Sequence, residues 1–290
     1  MGSKVRGKIS KTDQEQPKQG VVESFKKRRN QQIAMGLAVL IILSGFSVAL
    51  YMANRGDDED QDQNTYLNSI ELGGEWFLNN QDSSFLYYEY DLEDGTHSTS
   101  HHSLREMGAL WSITLLNDFL DDEQYANLSD RGFDHFEKHF EYDSDDDFLF
   151  VNITPTKIKL GYSAFIILVL LEMEDDLKDY YLMQFANGVL FQQQEDGSFN
   201  TFFYKDLNPG EETGVDYYPG EALFALMKLY QYTGNRTYLE AVEKAFPFYR
   251  DYWRSTNSTA FIPWQTRAYS LLYQETKKRE YGACLRNPSE

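Results

Sequence analysis

Apolar positions recur at helical spacing in two kinds of segment. In the first kind, Ala109, Leu110, Ile113 and Leu116 share one face, as do Ala222, Leu223, Leu226 and Leu229. These segments carry almost no charge after their first turn, so both sides must be covered by protein. They predict inner helices near 102–118, 160–173, 216–233 and 264–276. The second kind is amphipathic and more charged, and predicts outer helices near 123–141, 176–194 and 236–254, with a lone helix at 66–79 opening the series. Between them, "SFLYYEY" and "SFNTFFY" alternate at period two, the pattern of short hairpin strands.

The pattern repeats. "WFLNNQDSSFLYYEYD" at 76 resembles "VLFQQQEDGSFNTFFYKD" at 189, with Phe77 on Leu190 and Gln81 on Gln194, a shift of 113. The same shift lays "GALWSITLL" at 108 on "EALFALMKL" at 221, and Tyr125, Phe133 and Phe136 on Tyr238, Phe246 and Tyr249. A shorter unit returns "LYQYTGNRTY" at 229 as "LYQETKKREY" at 272. Helix, turn, second helix and longer loop make one unit, and stacked units bury a continuous core. The expected fold is all-α: an α/α-hairpin solenoid, or an α/α toroid that is closed or incomplete, preceded by a single transmembrane helix.

That transmembrane expectation rests on Ile33–Ala53, 21 residues without a charge, against about 20 needed to cross a bilayer core. A cleaved signal peptide would be shorter and lie nearer the start. Lys26, Lys27, Arg28 and Arg29 precede the segment; Asp57, Asp58, Glu59, Asp60 and Asp62 follow it. The positive-inside rule then puts residues 1–32 in the cytoplasm as a basic tail, residues 33–53 in the lipid bilayer, residues 54–65 outside as an acidic, disordered tether, and the body, 66–290, beyond the membrane. In a eukaryotic lumen, the sequons at Asn127, Asn152, Asn235 and Asn257 are candidate glycosylation sites.

Charge narrows the partners. Residues 1–55 hold ten Lys/Arg against three Asp/Glu; the remainder holds 17 against 43, about −26. Phosphate backbones would be repelled by such a body, which argues against nucleic acid. Cys284 is the single cysteine, so no intrachain disulfide can form. No Cys/His spacing, phosphate loop, nucleophile elbow or calcium-loop spacing occurs, so neither a metal nor a cofactor is expected; "SDDD" at 144 reads as a solvated acidic loop. Aromatic residues make up 16% of the chain; core packing accounts for most of them, and such rings also line sugar clefts.

"PGEALFALMKLYQYTGNRTYLEAVEKAF" resembles the repeat of the six-hairpin glycosidase-like superfamily, over about 66–281. The resemblance implies an α/α toroid and a saccharide ligand, with hydrolase, lyase or epimerase chemistry run by acid/base carboxylates. The superfamily spans several reaction classes, and fold alone does not choose among them. After "LYQETKKREY" an outer helix is due, but "GACLRNPSE" follows, which reads as an open horseshoe or a truncated chain.

In such a fold the ligand site lies where the inner helices begin. "THSTSHHSLREMGALW" places His101, His102, Arg105 and Glu106 there: a proton carrier near neutral pH, a fork for a substrate carboxylate, and an acid or base. "TGVDYYPGEALF" places Asp216, Tyr217, Tyr218 and Glu221 at the corresponding point. Glu106 with Glu221, or with Asp216, could supply the two carboxylates that glycosidases need. Trp264 and Arg267 open the last inner helix, a stacking face and a cation. The plain alternatives are first-turn acids favoured by the helix dipole, core packing for Trp264, and helix-ending turns for Gln81, Asp82, Gln193, Gln194 and Asp196. A binding solenoid without catalysis is the second functional reading.

Overall fold

The structure, a computed structural model, describes residues 59–154, 157–204 and 213–284, without the side chains of 59–65 and 283–284. The chain divides into two units, residues 1–64 and 65–290. The anticipated span at 33–53 lies outside the described residues. Among those described, no helix is long and apolar enough to cross a membrane.

The helices are α1 (Glu59–Asn79), α2 (Ser103–Leu120), α3 (Glu123–Glu137), α4 (Leu160–Glu172), α5 (Lys178–Phe191), α6 (Tyr218–Thr233), α7 (Arg236–Thr256), α8 (Ile262–Thr276) and α9 (Arg279–Cys284). They pair as hairpins: α2 with α3, α4 with α5, α6 with α7, α8 with α9. Inner helices also pack in sequence, α2 on α4, α4 on α6 and α6 on α8. The solenoid layering is therefore present.

Sequence chemistry explains the layers. Every residue of α4 from Leu160 to Leu171 is buried, as a chargeless helix requires. Each large apolar side chain so covered contributes roughly 1.5–3 kcal/mol. The outer helices α3 and α7 bury one stripe and wet the other. Asp122 and Asn235 cap them by accepting from the N–H of Gln124 and Thr237, while Asn257 closes α7 in a left-handed conformation. Two of the four sequon asparagines, Asn235 and Asn257, thus sit at the two ends of α7.

The inter-repeat turns match closely. Asp82 Oδ1 accepts from the N–H of Ser84 and of Phe85; Asp196 Oδ1 accepts from the N–H of Ser198. Isolated bridges, Gln81 with Leu86 and Gln193 with Phe199, close both turns. The offset here is 114, one more than in the helices, because "QQQEDGSF" holds one more residue than "NNQDSSF".

Several boundaries differ from expectation. Residues 59–65, read as tether, belong to α1. Helix α3 ends at Glu137 rather than 141, because β3 (Phe140–Asp143) pairs with β4 (Phe148–Val151). All four side chains of β4 are buried, so burial of "FLFV" wins over continuing the helix. "SDDD" is the tip of that hairpin, with Asp143 Oδ1 accepting from the N–H of Asp145 and Asp146. The "SFLYYEY" hairpin is minimal, β1 (Tyr90–Asp91) against β2 (Thr96–His97). "SFNTFFY" forms only bridges, including Lys159 with Phe202. The outer helix judged missing after "LYQETKKREY" does begin, as α9.

Candidate active site

The first turns of α2, α4 and α6 meet. Their meeting point is Gly161, where an added Cβ would lie 2.3 Å from Glu221 Oε2, 3.0 Å from Leu104 Cδ1 and 3.2 Å from Tyr218 Cδ1. Only a residue without a side chain lets the Glu221 carboxyl lie against the α4 backbone.

Glu221 is the fourth residue of α6, behind Pro219 at the tolerant start of the helix. It is 4% exposed, and Oε2 has no hydrogen-bond partner. Burial pushes its pKa up to about 8, opposed by the charge of Lys159. At neutral pH it is therefore mostly protonated, a donor held ready rather than a surface anion. Lys159 precedes α4 and is held below the ordinary lysine range by burial, against the pull of Glu221. Its ammonium lies 5.4 Å from the Tyr162 ring centroid and 6.0 Å from that of Tyr218. Burial raises both phenols to about 12.

Glu106 is the fourth residue of α2 and equally buried. It differs from Glu221 in being satisfied. Oε1 meets His101 Nδ1 at 2.9 Å and accepts from the His102 N–H at 3.2 Å. His101 Nε2 is 3.6 Å from Asp82 Oδ2, so the imidazole lies between two carboxylates. His102 caps α2 by accepting from the Arg105 N–H; burial first, then Lys159, holds its pKa down. The charge of Glu106 acts on Tyr162, as does that of Tyr218. The two glutamates thus share one rim, with the start of α4 between them.

A second layer lies one turn deeper. Trp111 follows Glu106 by five residues and Phe224 follows Glu221 by three, so their backbones sit roughly 5–8 Å further along the helices. Trp111, Phe224 and Trp264 converge with ring centroids 5.9–6.3 Å apart, and Phe165 packs edge-on against Trp264 at 5.4 Å. The Arg267 guanidinium sits against this cluster. α8 reaches α6 where Gly220 has no side chain: a Cβ there would be 2.7 Å from Trp264 Cβ.

Other expected residues have side chains that are engaged elsewhere or exposed. Asp216 accepts from Tyr252 Oη at 2.9 Å and Ser258 Oγ at 2.8 Å, which ties the α6 entry loop to the end of α7. Both oxygens are committed, so Asp216 reads as a strut. Asp216→Ala should lower stability by about 1–3 kcal/mol by stranding both hydroxyls, measurable by thermal denaturation; lost turnover at unchanged stability would return Asp216 to the chemistry. Arg105 donates to Tyr88 Oη and lies over its ring on the exposed side. Tyr217 is 46% exposed.

Lys159, Tyr162 and Gly161 were not anticipated. "KLGYSAF" opens an inner helix as "PGEALF" does, with glycine in the first turn, and that parallel was the available signal. Among the described residues, no group of three or more His, Cys, Asp or Glu is placed to hold a metal ion.

Fold and site together define an α/α-hairpin repeat protein with two buried glutamates on the inner-helix rim. No protein-family model matches the chain, and no curated protein matches it. Among solved structures, it is similar to a family 76 glycoside hydrolase from a bovine Bacteroides thetaiotaomicron strain, at 16% identity and a TM-score of 0.49. The alignment covers 64% of this chain and 46% of that enzyme, so it spans less than half of the enzyme's length.

Proposed function

We propose that this is a membrane-anchored, carbohydrate-active protein, held by residues 33–53 with its body outside the cytoplasm, whose rim glutamates perform acid/base chemistry of hydrolase, lyase or epimerase type. The observation that carries the reading is Glu221: a buried carboxyl with its pKa raised to about 8, beside a lysine and two tyrosines, at the start of an inner helix. Structural economy would not place an unsatisfied acid there, and perturbed carboxyls cluster at functional sites. Glu106 supplies the contrasting partner, anchored by His101 and the His102 N–H. Two acids in unlike surroundings are what acid/base work at one pH requires.

The test is turnover of a saccharide panel by the full-length protein in detergent. Glu221→Gln and Glu106→Gln should each lower it by about 10²–10⁴-fold. Unchanged turnover in both variants removes the pair. The 4% exposure of Glu221 favours a second reading, a glycan-binding solenoid without catalysis. That reading expects affinity without turnover, lost in Trp264→Ala.

A further inference from the structure

Arg267 is positioned oddly for an acidic protein. Its guanidinium carbon lies 5.0 Å from the Trp264 ring centroid and 5.7 Å from those of Trp111 and Phe224, so three inner helices contribute to its surroundings. The body, residues 66–290, holds 38 Asp/Glu, yet among the described residues Arg267 forms no ion pair and no hydrogen bond. Burial lowers its pKa with no acid acting against it, but a guanidinium stays charged throughout the ordinary pH range. The side chain is half-buried, and its five N–H donors therefore have no acceptor among the described residues.

Its neighbours share the deficit. Trp111 Nε1, buried, has no acceptor. Gln265, 2% exposed, leaves both amide atoms unpartnered; its Nε2 would be 3.3 Å from a Cβ on Gly220, one residue before Glu221. Buried polar groups are satisfied as a rule, and here several lapses fall together, mostly donors.

We propose that Arg267, with Trp111, Trp264 and Gln265, forms a subsite for the carboxylate of an acidic saccharide, a uronate, bound by the same inner-helix face; this rests on the saccharide reading above. The planar guanidinium matches a carboxylate through two parallel hydrogen bonds. Indole faces accept the apolar side of a sugar ring. One arginine balances one negative charge, whereas a phosphate ester brings about −1.5 to −2 into an already acidic body. The guanidinium lies against Trp111 and Phe224, which follow the rim glutamates by five and three residues on α2 and α6.

The test is calorimetric binding of trisaccharides of glucuronate, galacturonate and mannuronate to the full-length protein in detergent, each against its methyl ester, which keeps the sugar and removes the charge. At least one acid form should bind at least about tenfold tighter than its ester, the usual reach of a charge-assisted pair. Arg267→Gln should erase that preference. Arg267→Lys, which keeps charge and stem but loses the planar fork, should retain part of it, with a thermal unfolding transition confirming the fold of each. Esters binding as well as acids, or a preference that survives Arg267→Gln, overturns the subsite and leaves the saccharide reading standing. Binding of no saccharide, charged or neutral, overturns both.

Discussion

Replacing Glu221 with glutamine is expected to flatten the dependence of stability on pH between about 4.5 and 8. The buried carboxyl has its pKa raised from 4.5 to about 8. Below the unfolded value, folded and unfolded chains both carry the proton, and the stability linked to this group is fully present. As pH rises, the unfolded chain releases its proton first while the folded chain keeps it, so stability falls. The loss is complete once pH passes the folded value, with a ceiling of about 5 kcal/mol at ~1.36 kcal/mol per pKa unit. Glutamine keeps the shape and cannot ionise, so the falling limb disappears. Denaturant midpoints of wild type and variant at intervals from pH 4 to 9 measure the difference. Parallel curves would mean that Glu221 titrates normally and reaches water.

Gly161→Ala should produce the second large effect. Alanine is the better helix former by about 1 kcal/mol, which predicts stabilisation if helix propensity decides. Sterics oppose it: the new methyl would stand 2.3 Å from Glu221 Oε2 and 3.0 Å from Leu104 Cδ1. Neither neighbour is exposed enough to withdraw into water, and overpacking costs roughly 1–3 kcal/mol. A net loss is expected, measured by thermal denaturation. The cause can be isolated with a double-mutant cycle. In a Glu221→Ala background the carboxyl is gone, so the same substitution should cost much less. Equal cost in both backgrounds would place the clash elsewhere.

The two effects depend on one juxtaposition, and it was only half legible in sequence. Glu221 and Glu106 stood out because each opens an apolar periodic run, Glu221 behind Pro219-Gly220 and Glu106 behind a His/Arg cluster. That they share a rim followed from the 113-residue repeat. The repeat did not indicate what separates them. Gly161 and Lys159 became site residues only because α4 packs between α2 and α6, and a glycine in an apolar helix carries no local mark of the carboxyl it accommodates. Asp216 shows the converse. By sequence it matched the glutamates, an acid just ahead of an inner helix. Tyr252 and Ser258, 36 and 42 residues downstream, engage both of its oxygens.

Sequence by itself determined the alternation of inner and outer helices, because burial on one side or two writes charge out of a helix at a visible period. It determined the matched turns as well, since Asp and Ser two residues apart bond locally. Tertiary structure decided the rest. The strand pair after α3 exists because "FLFV" found a covered place, and the state of each acid depends on what lies across from it. Glu106 found an imidazole and a backbone N–H, Asp216 found two hydroxyls, and Glu221 found a bare α4 backbone and a lysine. Ionisation depends on solvent access and neighbouring charge, and both come from chain segments distant in sequence.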